Sequence, residues 1–163
     1  MLLANTEVRQ RLDGATLDRA RLADLVRLAA STGEWAGLVR YSEGERWYQR
    51  LERGENHEVW LLSWLPGQRT GFHDHCGSSG AFTVVQGELR EWTPAAGRPA
   101  STAFRAGRAR SFGPRHVHEV VNESAAPAVS IHAYSPPLAG MRRYELTASG
   151  LVVAAVETAG ERW

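Results

Sequence analysis

Apolar and polar positions follow two regimes along the chain. Over residues 16–30, TLDRARLADLVRLAA, the apolar Leu17, Ala20, Leu22, Leu25, Val26, Leu28 and Ala29 recur near a 3.6-residue spacing, with Arg and Asp filling much of the other face. The spacing predicts a helix with Thr16 as its N-cap and Gly33 marking its end. A second short helix is predicted from Glu34 to Val39. Both are suited to covering one side of a sheet core. After Tyr41 the apolar runs shorten and are broken by Gly, Pro and Asn. Strands are predicted at 45–51, 57–65, 80–86, 88–93, 109–112, 117–122, 127–134, 141–146 and 150–156. Short strands at this spacing argue for an antiparallel barrel or sandwich. The segment 94–101, PAAGRPAS, reads as a loop, and 157–163 as a loose tail in which Trp163 is suited to packing. The expectation is a single domain over 1–163. A mainly helical cover occupies 1–40, a β-barrel 41–156 and a C-terminal tail 157–163.

Composition narrows the function classes. With 163 residues the chain suffices for one substantial core. Nineteen basic residues, all arginine, against eighteen acidic ones leave a net charge of +1, which disfavours binding along a nucleic acid. The lone cysteine, Cys76, cannot form an internal disulfide. The apolar run of MLLANTEVRQRLDG is too short for a secretion signal, and Glu7 and Asp13 follow it closely. No apolar stretch approaches the ~18 residues of a membrane span. The protein is therefore expected in the cytoplasm, without membrane or nucleic-acid partners, and as a monomer.

Candidate chemistry sits on the histidines. In Gly71-Phe72-His73-Asp74-His75, an extended backbone puts His73 and His75 on one side and Asp74 on the other. Two imidazoles on one strand edge suit Zn, Fe, Ni or Cu. A second cluster, Pro114-Arg115-His116-Val117-His118-Glu119-Val120, supplies a third candidate ligand. His118, which runs into Val120-Val121, is preferred over His116, which adjoins the Gly113-Pro114 turn. Three neutral imidazoles leave a metal's charge uncancelled and coordination positions open. Glu119 or Glu88 could add a fourth ligand, and a three-histidine zinc site for water activation is equally compatible with the ligand set.

A period of two recurs in Ser130-Ile131-His132-Ala133-Tyr134. Either Ser130, His132 and Tyr134 face solvent, or they line a site as a hydroxyl–imidazole–hydroxyl relay that presents the phenol to the metal. In Trp47-Tyr48-Gln49-Arg50, Tyr48 and Arg50 share a strand face, and arginine suits a carboxylate clamp. Gly87 in Val85-Gln86-Gly87-Glu88-Leu89 reads as a tight turn. Cys76 has no base beside it in sequence, and His57 reads as a strand-start or surface residue. The aromatic Trp60, Trp64, Phe82, Trp92 and Phe112 read as core or pocket wall.

Taken in order, these segments resemble the cysteine dioxygenase family, the thiol dioxygenases of the cupin superfamily. The resemblance rests on Tyr48-Gln49-Arg50, His73-Asp74-His75, Val85-Gln86-Gly87-Glu88-Leu89, His118-Glu119-Val120-Val121-Asn122 and Ser130-Ile131-His132-Ala133-Tyr134-Ser135-Pro136-Pro137. It covers roughly residues 15–150. It implies an all-β cupin jelly-roll barrel with a short helical N-terminal cover. It also implies a mononuclear Fe(II) centre on His73, His75 and His118 that converts L-cysteine and O2 to cysteine sulfinic acid. By the same resemblance Arg50 would bind the substrate carboxylate. Tyr134, backed by His132 and Ser130, would lie near substrate and oxygen, and Tyr48 and Met141 would wall the pocket. Mammalian members carry, where this chain has Gly80, a cysteine cross-linked to the active-site tyrosine, so Tyr134 is expected uncross-linked. Relatives acting on 3-mercaptopropionate usually have glutamine at the clamp, so an arginine there favours cysteine. The rival readings are another small-thiol dioxygenase, a cupin isomerase, or a non-catalytic cupin module that binds a small molecule.

Overall fold

The computed structural model describes residues 14–95 and 98–158. Helix α1 (Arg19–Ser31) is capped by Asp18, whose carboxylate accepts the Arg21 N–H at 2.9 Å. Thr16, the expected cap, lies in the lead-in two residues earlier. Asp18 is the better terminus because its charge also meets the helix dipole. Gly33, at φ 69°, takes the left-handed turn that ends the helix. The predicted second helix is a 3-10 turn, Glu34–Leu38.

Eleven strands follow among the described residues: β1 (Trp47–Arg53), β2 (Glu58–Trp64), β3 (Phe72–Asp74), β4 (Ser79–Gln86), β5 (Glu88–Thr93), β6 (Ala100–Arg105), β7 (Ala109–Phe112), β8 (Glu119–Val121), β9 (Ala128–Ser135), β10 (Gly140–Thr147) and β11 (Gly150–Thr158). They form a five-stranded sheet, β1-β2-β9-β4-β7, and two three-stranded sheets, β11-β10-β3 and β6-β5-β8, with antiparallel pairing throughout. Strands β3 and β6 stand where no strand was expected, and β6 begins inside the segment read as a loop. Strand β11 runs to Thr158, so the expected tail starts later, and its remainder with Trp163 lies outside the described residues.

Two cores share the large sheet. On its outer face α1 buries Leu22, Leu25, Val26 and Ala29 against Val59, Leu61, Ala81, Val129, Ile131 and Ala133. On its inner face Trp64, Phe82, Val84 and Tyr134 meet Leu89 and Phe104 of the β6-β5-β8 sheet and Met141 of β10, which closes the barrel. Strand β9 is therefore buried along its whole length. Its Ile131 and Ala133 face the helix, which leaves Ser130, His132 and Tyr134 for the barrel interior. That resolves the even choice the alternation left open. Gly87, at φ 75°, makes the β4–β5 turn, and a Cβ there would sit 2.7 Å from the Pro127 carbonyl oxygen.

Candidate active site

The site begins with one backbone pairing. His73 and His118 form an antiparallel bridge, each N–H donating to the other's carbonyl at 2.9 and 3.0 Å. A directly opposed pair sends both side chains to the same face. His75 follows on the same side of the chain as His73. The ring centroids lie 4.7 Å (His73–His118), 4.9 Å (His73–His75) and 5.3 Å (His75–His118) apart. One ring nitrogen from each lies within 4.8 Å of the others. All three rings are buried. Burial holds His73 and His75 well below the usual histidine range. Burial also lowers His118, against an opposing pull from Glu91. Neutral imidazoles with free lone pairs result.

The outer nitrogens fix the tautomers. His73 Nδ1 lies 3.0 Å from the Gly71 carbonyl oxygen, and His118 Nδ1 lies 2.8 Å from Glu91 Oε1. Both partners only accept, so Nδ1 carries the proton on each ring and Nε2 keeps its lone pair. Among the described residues His75 has no hydrogen-bond partner on either nitrogen although both are buried. A buried imidazole that is orphaned beside two others fits a metal ligand.

Neighbouring acids stay out of this triad. Asp74 accepts from Tyr144 Oη at 2.6 Å, Arg142 Nη2 at 2.8 Å and the Cys76 N–H at 2.9 Å. Glu119 pairs with Arg69 at 3.6 Å and Glu88 with Arg105 at 2.7 Å, so neither supplies a fourth ligand. His116 is not one of the three converging ligands; it stacks on Phe112, meets His118 edge-on at 4.9 Å and donates to Glu91 Oε1 at 2.8 Å. Glu91 is the functional candidate that sequence reasoning missed. It lies two residues beyond buried Leu89 on β5, the inward position of an alternating strand.

Ser130, His132 and Tyr134 form a connected chain. Trp64 Nε1 donates to Ser130 Oγ at 2.9 Å, Ser130 Oγ lies 2.8 Å from His132 Nε2, and His132 Nδ1 lies 3.4 Å from Tyr134 Oη. Burial pulls His132 down to about 3, so its ring is neutral. With Trp64 donating into Ser130, the serine hydroxyl has His132 Nε2 as its acceptor. The remaining imidazole proton sits on Nδ1 and points at the phenol oxygen. The phenol hydrogen is then free for the cavity. Burial also pushes the Tyr134 hydroxyl well up, so it stays protonated.

His73, His118, His132 and Tyr134 open onto a cavity walled by Tyr48, Trp60, Leu62, Val120, Leu138 and Met141. Tyr48 and Met141 are among the lining residues, and Arg50 is not. Its exposed side chain packs on the Trp60 ring, 5.4 Å from the centroid, and lies 3.9 Å from Glu58 Oε2. Tyr48 pairs with Leu62 and Arg50 with Trp60 across β1–β2, so both stand opposite cavity-wall residues, and it is the outward course of the Arg50 side chain over Trp60 that keeps it from the lining. Arg46, two residues before Tyr48, lines the cavity instead. It stacks over Trp64 at 4.9 Å and makes no hydrogen bond or ion pair among the described residues. Burial, with help from the Arg143 charge, pulls it down to about 10, so it remains a cation at neutral pH. Arg143 also lines the cavity, but it is tied to the Thr70 carbonyl and to Glu157.

His57 is buried against Asn56 Oδ1 at 2.8 Å and is not a surface residue. Cys76 does not line the cavity. A Cβ added at Gly80 would lie 2.4 Å from Phe112 Cζ and 3.0 Å from Tyr134 Cδ1, so Phe112 occupies the space a cross-linking side chain would need. The Ser135–Pro136 bond is cis.

Among proteins of curated function none matches the chain. Solved structures do. The TT1209 protein of Thermus thermophilus is 25% identical, with 64% of this chain and 95% of that one covered at a TM-score of 0.58. A double-stranded β-helix protein of Klebsiella pneumoniae is 24% identical, with 65% and 90% covered at 0.58. An RmlC-like cupin of Desulfovibrio desulfuricans is 17% identical, with 61% and 91% covered at 0.53. The barrel is thus the cupin fold. The family model for cysteine dioxygenase type I matches residues 4–147. That span includes the three convergent imidazoles and the phenol facing them, and the chain belongs to the cysteine dioxygenase type I family, enzymes of thiol dioxygenase type with a metal site on three histidines.

Proposed function

We propose that this enzyme oxidises L-cysteine with O2 to cysteine sulfinic acid at a mononuclear Fe(II) held by His73, His75 and His118. The observation that carries the reading is a pairing inside one cavity. A neutral imidazole triad, two of whose rings line the cavity, stands beside the Arg46 guanidinium, which stacks on Trp64 and makes no hydrogen bond or ion pair among the described residues. The triad suits a divalent ion, and the guanidinium suits a carboxylate. A small thiol that also carries a carboxylate satisfies both. Iron, when bound, supplies the redox chemistry that transfers both oxygen atoms to sulfur.

The chain's own residues do the rest. Arg46, not Arg50, takes the carboxylate and so sets which end of the substrate faces the triad. Trp60, Leu62, Val120, Leu138 and Met141 exclude water from the sulfur. Tyr134 offers its hydroxyl hydrogen to the oxygen-bearing side of the reacting group, and Trp64, Ser130 and His132 hold that hydrogen in place. The choice of cysteine over 3-mercaptopropionate rests on the family resemblance, because both thiols carry the carboxylate that Arg46 would bind.

The test is anaerobic reconstitution with ferrous ion, then oxygen uptake and sulfinate detection with cysteine and 3-mercaptopropionate side by side. The expected result is stoichiometric O2 consumption with cysteine preferred. Faster turnover of 3-mercaptopropionate reassigns the substrate. Binding of either thiol without oxygen uptake makes the protein a binding module. Arg46→Ala should raise KM for cysteine at least about 30-fold, the loss of ~2 kcal/mol from one charge-assisted contact, whereas Arg50→Ala should leave it near wild type. The opposite ranking returns the clamp to Arg50.

A further inference from the structure

Glu91 is a carboxylate buried beneath the triad, with 3% of its side chain exposed. Its Oε1 receives two imidazole N–H groups, His118 Nδ1 and His116 Nε2, each at 2.8 Å. Its Oε2 receives Arg110 Nε at 3.1 Å. A carboxylate that meets three N–H groups, from two imidazoles and a guanidinium, serves as an acceptor at both oxygens. His118 therefore has its Nδ1 proton fixed and its ring plane set from outside the cavity.

The three ligands are supported unequally. His118 leans on a carboxylate, His73 on the Gly71 carbonyl, and His75 on no hydrogen-bonding group among the described residues. A carboxylate behind an imidazole raises the basicity of the opposite nitrogen more than a carbonyl does. The cluster of Glu91, His116 and His118 has metal-like spacing, but its atoms already satisfy one another. It is a support for the triad and not a second metal site.

We propose that Glu91 is the positioning residue that makes His118 the strongest donor of the triad, with Arg110 and His116 holding Glu91 in place. This rests on the reading of His73, His75 and His118 as the metal site. Glu91→Gln keeps the shape but replaces the anion with a neutral group whose amide hydrogens face Arg110.

The test is cobalt(II) titration of the metal-free protein, followed by the visible d–d bands. Wild type should bind one cobalt(II), and Glu91→Gln should bind 10- to 100-fold more weakly with displaced bands. Equal affinity and identical bands in a folded variant overturn the proposal while leaving the metal site standing. Failure of the wild type to bind cobalt(II) overturns both. A second measurement needs no variant. In the wild type loaded with diamagnetic zinc(II), long-range proton–nitrogen correlation should show His118 protonated on Nδ1. A bare Nδ1 on His118 overturns the proposal.

Discussion

Removing metal from this protein should make its stability fall steeply on mild acidification. His73, His75 and His132 are at most 4% exposed, and burial depresses all three below the usual histidine range. In the unfolded chain each reverts to about 6.5. Between pH 7.5 and 5.5 the unfolded state therefore binds protons that the folded state refuses, so stability falls as pH falls. A histidine that stays neutral in the fold at pH 5.5 costs about 1.4 kcal/mol there relative to high pH, and three cost about 4 kcal/mol. His118 adds less, because Glu91 opposes its depression. The carboxylates do not mask the effect. Asp74 and Glu91 are also depressed, so their contribution stays intact until pH falls below the ordinary carboxylate range near 4. Against a typical total of 5–15 kcal/mol, a loss of about 4 kcal/mol is large. The assay is urea unfolding of chelator-treated protein at pH 7.5, 6.5 and 5.5. The midpoint should drop through the series at constant slope. A midpoint that is flat or rising toward pH 5.5 would refute the reasoning, because it would mean the histidines take up protons in the fold.

Three further outcomes follow from single contacts. Trp64→Phe removes the N–H that donates into Ser130 and frees the serine hydroxyl to turn, so kcat should fall about five-fold, one neutral hydrogen bond's worth, with KM little changed; steady-state kinetics showing a pure KM effect would contradict this. Gly80→Ala drives a methyl into Phe112, whose ring is flanked by His75 at 5.1 Å and His116 at 4.9 Å, so overpacking should cost ~1–3 kcal/mol. A thermal midpoint equal to wild type would show that Phe112 yields freely. Asp74→Asn leaves Arg142 and Tyr144 without their anion and should cost ~1–3 kcal/mol at pH 7, discounted because Arg142 is partly exposed. Because the Asp74 carboxyl is depressed in the fold, the deficit should persist above pH 4 and shrink as pH falls through its folded value; a deficit independent of pH down to 2 would remove the charge from the explanation.

What the sequence made legible, and what it did not, follows from the range of the forces involved. His73 and His75 were readable because a period of two is local, and Asp74 pointing away follows from the same geometry. The Ser130–His132–Tyr134 face was readable as a face but not as inward. Alternation cannot say which side of a strand is buried when α1 covers one side and the barrel the other. Among the described residues no helix is long and apolar enough to cross a membrane. Strand β3 has three residues, and its pairings reach to Arg143 and His118, so no local propensity announces it.

Arg46 and Arg50 show the limit most sharply. Arg46, Tyr48 and Arg50 stand at i, i+2 and i+4 on one face, and the period is satisfied by either arginine. Register brings both near the cavity, with Tyr48 opposite Leu62 and Arg50 opposite Trp60, and the side-chain packing, Arg46 over Trp64 and Arg50 over Trp60 beside Glu58, decides which guanidinium lines it. Register is set by the packing of both faces, with Leu51 and Trp47 against the helix-side core and Trp64 and Leu62 in the barrel. It is a property of two strands together, whereas the arginine is a property of one. The same holds for His118. Its place beside His73 depends on the antiparallel pairing of residues 67–73 with 118–122, and within that pairing the bridge between His73 and His118, 45 residues apart in number, sets the two rings side by side. Weakening it should therefore cost metal before it costs fold, because Val120 and Val121 anchor β8 independently in the barrel.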